Sequence, residues 1–141
     1  MTSPSTRLAV RDGDATRSRT PAPTRTRLAA AVAASVIVGA GLALRAVSAG
    51  EVAKYGGDAL YTLLLFALVL VAAPRTAPGK AAVLALAVSW AVEFLQLTDG
   101  PAYLAGQSTA ARLVLGSTFN APDLFWYAVG ALTGRLAVRR G

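Results

Sequence analysis

Residues 58–73 read DALYTLLLFALVLVAA, and Pro74 follows. After Asp58 the run carries no charge, and Pro74 with Pro78-Gly79 closes it in a tight connection. Three other stretches have the same character: Leu28 to Ala46, Ala81 to Leu97 and Pro122 to Val138. A bilayer core of roughly 30 Å is crossed by about 20 helical residues. All four stretches sit at the short end of that range, and each is long enough to span. The expected fold is therefore all-α: an integral membrane four-helix bundle spanning at about 28–46, 58–73, 81–97 and 122–138.

Composition supports a lipid environment. Hydrophobic residues make up 55% of the 141 residues, charged residues 15%, and mean hydropathy is +0.52. A soluble domain carries about 25% charged residues. The chain has neither Cys nor His. Disulfides, thiolate nucleophiles and thiolate metal sites are excluded, and so are the commonest general base and metal ligand. No cofactor is expected. The basic residues are almost all Arg, a usage that fits a GC-rich bacterial genome.

Residues 1–26 are rich in Thr, Ser, Pro and Arg and bury too little apolar surface to repay ordering. They are expected to be a disordered cytoplasmic tail ahead of a membrane domain over 27–141. No aromatics interleave the arginines to stack bases, so nucleic acid is not an expected partner. An Arg-rich start, an apolar run and Val47-Ser48-Ala49 also fit a signal peptide. The run is as long as a full span, however, and Arg45 stands just before the cleavage position.

The net charge of +7 is explained by orientation. With the N-terminus in the cytoplasm, Arg7, Arg11, Arg17, Arg19, Arg25, Arg27, Arg75, Lys80, Arg135, Arg139 and Arg140 lie inside. Arg45, Lys54 and Arg112 lie outside, giving eleven against three. This positive-inside bias places both termini of a multi-pass cell-membrane protein in the cytoplasm. The connections 48–57 and 98–121 then lie outside, and in the second Ser108 to Leu115 reads as a short interfacial or re-entrant helix ended by Gly116.

That orientation gathers the ionisable groups at one depth. Arg45 ends the first span, Asp58 begins the second, Glu93 and Gln96 lie near the outer end of the third, Arg112 is in the long connection and Asp123 begins the fourth. A helix N-terminus favours Asp electrostatically, which gives Asp58 and Asp123 a structural reason to be there. Glu93 stands within a span, where a carboxylate is costly unless paired or hydrated. Ser89, Glu93 and Gln96 share one helix face. Asp123, Tyr127, Gly130 and Gly134 share another, and Gly130-x-x-x-Gly134 allows close helix packing. Asn120 before Ala121-Pro122-Asp123 reads as an N-cap with Pro in the first turn.

These residues carry a resemblance. Gly57-Asp58-Ala59-Leu60-Tyr61, Glu93-Phe94-Leu95-Gln96-Leu97, Arg112 ahead of Leu115-Gly116-Ser117-Thr118-Phe119, and Asp123 through Tyr127 to Gly130 resemble a bacterial membrane family, domain of unknown function 2809, over roughly 28–136. Tyr61 stands where the family usually has Trp. Glu-x-x-Gln, then Arg, then Asp opening the last helix is also similar to VanZ-like proteins, which are linked to glycopeptide-antibiotic resistance. That resemblance implies an envelope location and a shared polar site at Glu93, Gln96, Arg112 and Asp123.

The reading favoured by the sequence is a binding module. Arg45, Asp58, Glu93, Gln96, Arg112 and Asp123 would hold the headgroup of a membrane lipid or a lipid-linked amphiphile. The arginines would take phosphate or carboxylate, with Glu93 and Asp123 orienting them. One alternative is a membrane-embedded enzyme acting on a lipid-linked substrate, with Glu93 or Asp123 as general base, although no nucleophile motif is present. The other is a structural or assembly factor in which the cluster locks the bundle. Two carboxylates offer too few oxygens to point to a metal site.

Overall fold

A computed structural model describes residues 23–116 and 118–139. Within them the chain is helical: α1 (Pro23–Val47), α2 (Gly50–Ala72), α3 (Pro78–Leu95), α4 (Asp99–Gln107), α5 (Thr109–Leu115) and α6 (Ala121–Arg139). The three helices α1, α2 and α3 are long and apolar enough to cross a membrane. α6, at 19 residues, is one residue longer than α3, but it carries Asp123, Thr133, Arg135 and Arg139 and does not meet the same measure of apolarity.

Several boundaries differ from those expected. α1 begins at Pro23 and takes residues 23–26 from the expected tail. Proline suits a first helical position because its missing N–H would have no acceptor there. The rest of the tail, 1–22, lies outside the described residues. α2 begins at Gly50 and not at Asp58. The expected connection 48–57 shrinks to Ser48-Ala49, and Gly56 and Gly57 are helical. The long outer connection holds two helices. α5 is the expected one, with the Ser108 hydroxyl accepting from Ala111 N–H and Gly116 ending it at φ +65°. α4 was not expected; its first turn contains Gly100-Pro101. Pro101 falls in the first turn, where a backbone N–H would have no intrahelical acceptor.

α2 is the central helix and packs on α1, α3 and α6. Direction follows from the contacts. Arg27 Nε donates to the carbonyl of Val71 at 2.9 Å, while Gly56 lies against Leu44, so α1 and α2 are antiparallel. Thr62 meets Ser89 on α3, and only residues 73–77 join the two helices, so α2 and α3 are antiparallel as well. On α6, Gly130 packs on Ala59 and Gly134 on Phe66, so α2 and α6 run parallel and start at the same end of the molecule. α5 lies at that end, where Gln96 of α3 reaches the Leu115 carbonyl.

The distribution of side chains is inverted relative to a water-soluble bundle. Leu28, Val32, Val36, Val83, Leu84 and Leu132 are exposed, while Thr62, Ser89, Glu93 and Asp123 are buried. Water would penalise both halves of that arrangement. The buried apolar core is small, mainly Ala30, Ala81, Ala82, Ala85 and Ala131 around Phe66 and Leu70. Small side chains let the helix axes approach closely, as helix packing in lipid requires.

Candidate functional site

α3 presents Ser89 and Glu93 to the interior, both with no exposed surface. The Ser89 hydroxyl donates to the Ala85 carbonyl at 3.0 Å and lies 2.7 Å from the Thr62 hydroxyl. Ser89 has one hydroxyl proton, and Ala85 takes it. Thr62 is therefore the donor, and the pair ties α2 to α3.

One turn further along α3, Glu93 ties that helix to α6. Its Oε1 accepts the backbone N–H of Asn120 at 2.5 Å, and its Oε2 accepts the Tyr127 hydroxyl at 3.0 Å. Asp123, 4% exposed, accepts the ammonium of Lys54 on one oxygen and the side-chain amide of Asn120 on the other. Lys54 also lies 3.7 Å from Asp58 Oδ2, one helical turn along α2. Lys54, Asp58 and Thr62 recur at i, i+4 and i+8 and form one polar stripe on α2. The stripe Asp123, Tyr127, Gly130 and Gly134 is the buried face of α6.

Gln96, at the end of α3, donates from Nε2 to the Leu115 carbonyl at 2.5 Å and so pins α5 over the bundle. Gly116 makes this possible in two ways. Its φ of +65° is a glycine conformation, and a Cβ there would come within 2.6 Å of Gln96 Nε2. At the same end, Tyr55 stacks on Trp126 with centroids 5.6 Å apart, and Trp90 Nε1 donates to the Leu124 carbonyl at 3.1 Å.

Part of this network borders a cavity of about 700 Å³ between α1, α2, the end of α3, α5 and the start of α6. Its polar lining includes Arg45, Lys54, Asp58, Gln96, Arg112 and Asp123. Its apolar lining runs down α1 to Ile37 and down α2 to Leu64, with Val92, Leu113 and Val114 opposite. From Arg45 to Ile37 is eight residues, or about 12 Å of helix.

Five of the six residues singled out in the sequence thus line one cavity. The sixth, Glu93, lies behind the wall and reaches it through Tyr127. The expected pairing of the carboxylates with arginine is not what the structure forms. Glu93 is held by Tyr127 and Asn120, and Asp123 by Lys54 and Asn120. Among the described residues, Arg45 and Arg112 are exposed and have no carboxylate within ion-pair distance. The sequence reading passed over Lys54, Asn120 and Thr62 as site residues. The spacing of Lys54, four residues ahead of Asp58, was the available signal. Among the described residues no group of three or more acidic side chains is arranged to hold a metal ion.

The model of a family described as "Protein of unknown function (DUF2809)" matches residues 47–131. The match is narrower than the expected 28–136. It leaves out most of α1, including Arg45, and takes in Asp58, Glu93, Gln96, Arg112 and Asp123. No curated protein matches the chain, and no solved structure does. The match covers more than half of the 141 residues, and the chain belongs to this family of unknown function.

Proposed function

We propose that the chain is a multi-pass cell-membrane protein, with α1, α2, α3 and α6 as four spans, whose cavity binds the anionic headgroup of a membrane amphiphile. One observation carries the reading: two guanidinium groups that, among the described residues, have no carboxylate partner, Arg45 and Arg112, stand at a cavity that continues along apolar stretches of α1 and α2. A guanidinium has five N–H donors and suits phosphate. An apolar trough continuing about 12 Å below it suits an acyl chain. The Lys54–Asp123 and Glu93–Tyr127 contacts neutralise or satisfy the groups behind, so the two arginines are the cations left for a ligand. The similarity to VanZ-like proteins supports a cell-envelope location. An enzymatic role draws no comparable support, since both candidate bases, Glu93 and Asp123, are engaged in fixed hydrogen bonds.

In this reading the polar end faces outward and both termini are cytoplasmic, with residues 1–26 as the cytoplasmic tail and 27–141 as the membrane domain. Reporter fusions at Gly79 and Gly141 are expected to read cytoplasmic, and one at Gln107 external. A cytoplasmic signal at Gln107 would place the cavity in the opposite leaflet.

Arg112 tests the binding itself. Arg112→Lys keeps the charge and loses the planar fork, whereas Arg112→Gln loses both. Loss of a bidentate charge-assisted contact costs about 1.5–3 kcal/mol, or roughly 10- to 100-fold in affinity. Phospholipid retained through mild-detergent purification, counted by native mass spectrometry, is expected to fall in both variants and further in Arg112→Gln. Unchanged stoichiometry in two folded variants would reduce Arg112 to a surface cation.

A further inference from the structure

Two buried acceptor oxygens on residues that line this cavity lack a hydrogen-bond donor: Asp58 Oδ2 and Gln96 Oε1. The orientation of the Gln96 amide is fixed by chemistry. Its other end meets the Leu115 carbonyl, which only accepts, so Nε2 belongs there and Oε1 is the atom left over. Asp58 has Lys54 nearby, but at 3.7 Å the ammonium is beyond hydrogen-bond length, and its short contact goes to Asp123. A buried acceptor without a donor is costly, and two on one cavity wall call for a donor from within the cavity. The same cavity carries Arg45 and Arg112. It therefore offers anion-binding donors at its mouth and unmet acceptors, one of them a carboxylate, beside them.

We propose that the headgroup bound here is zwitterionic, with a primary ammonium beside its phosphate, and that this ammonium donates to Asp58 Oδ2 and Gln96 Oε1 while the phosphate meets the arginines. The proposal rests on the amphiphile reading of the cavity and narrows it to one class of phospholipid. A primary ammonium has three N–H donors, enough for both acceptors. A quaternary ammonium has the charge and no N–H, so it leaves Gln96 Oε1 unmet. A glycerol headgroup has hydroxyl donors and no positive charge to set against Asp58.

The test is lipid selection by the full-length protein in nanodiscs of equal parts phosphatidylethanolamine, phosphatidylcholine and phosphatidylglycerol with matched acyl chains. Lipids that stay bound on release from the disc are identified by native mass spectrometry. Phosphatidylethanolamine is expected to be enriched over each of the others by roughly tenfold, the scale of one charge-assisted hydrogen bond. Asp58→Asn, first shown to be folded by thermal unfolding, is expected to keep bound phospholipid and lose that preference. Lipids retained in bulk proportions, or phosphatidylglycerol retained best, would overturn the ammonium assignment and leave the anion reading standing. A preference that survives Asp58→Asn would overturn it as well. No retained phospholipid at all would remove the amphiphile reading and this proposal together.

Discussion

Gly130→Ala is expected to separate α6 from α2 and to produce the largest loss of stability of any single methyl group added to this chain. A Cβ at Gly130 would run into the carbonyl oxygen of Ala59, with the Ala59 Cα at 3.2 Å, so the clash is with backbone and not with a side chain that can rotate away. The two helices have to move apart, and the Lys54–Asp123 contact between them moves too. Overpacking of a tight core costs about 1–3 kcal/mol when side chains can adjust, and a backbone clash belongs at or above the top of that range. Gly39→Ala is the control. Gly39 is also within a helix, but nothing lies within 4 Å of the added methyl. There the change should be neutral or stabilising by about 0.5–1 kcal/mol, because alanine is the better helix former. Thermal unfolding in one detergent should show a large drop for Gly130→Ala and none for Gly39→Ala. Equal midpoints would mean that α2 and α6 are not in contact.

Glu93→Ala is the second large effect. It leaves the Tyr127 hydroxyl and the Asn120 N–H without their acceptor at a position with no exposed surface. Hydrogen bonds to a charged group contribute about 1.5–3 kcal/mol each, so the loss of two should be about 3–6 kcal/mol. Glu93→Gln keeps the volume and one acceptor while turning an NH2 toward a second donor, and should fall between the two. The partner makes the test specific. In a double-mutant cycle, Tyr127→Phe should destabilise the parent but add little to Glu93→Ala, because the bond it removes is already gone. Additive effects would show that Glu93 and Tyr127 act independently.

The pattern of apolar runs made the helices legible. Length and the absence of charge marked α1, α2 and α3, and Pro122 marked the start of α6 to within one residue. The start of α2 was hidden because Gly50, Gly56 and Gly57, set among Glu51, Lys54 and Asp58, have the composition of a connection. These residues are helical. Glu51 in the first turn complements the helix dipole, and Lys54 stands one turn ahead of Asp58. Reading them as a loop removed Lys54 from the helix face and left Asp123 to be assigned to an arginine. The i, i+4 spacing of Ser89 and Glu93 did show which face of α3 turns inward, because a costly carboxylate has to. Which helices are neighbours was not legible. The Lys54–Asp123 contact joins residues 69 apart in the chain and depends on α2 and α6 lying parallel and adjacent. Periodicity within each helix says nothing about that.

The most direct test of the cavity as a headgroup site is photo-crosslinking with a phospholipid that carries a diazirine next to its phosphate, followed by mapping of the adducts. The account predicts adducts concentrated on the walls of the cavity mouth, at Arg45 and its neighbours in α1 and from Arg112 to Gly116, and lost on competition with unlabelled phospholipid. Adducts spread over the outward-facing side chains Leu28, Val83 and Leu132, and insensitive to competitor, would mean that lipid only surrounds the protein, and would contradict the account.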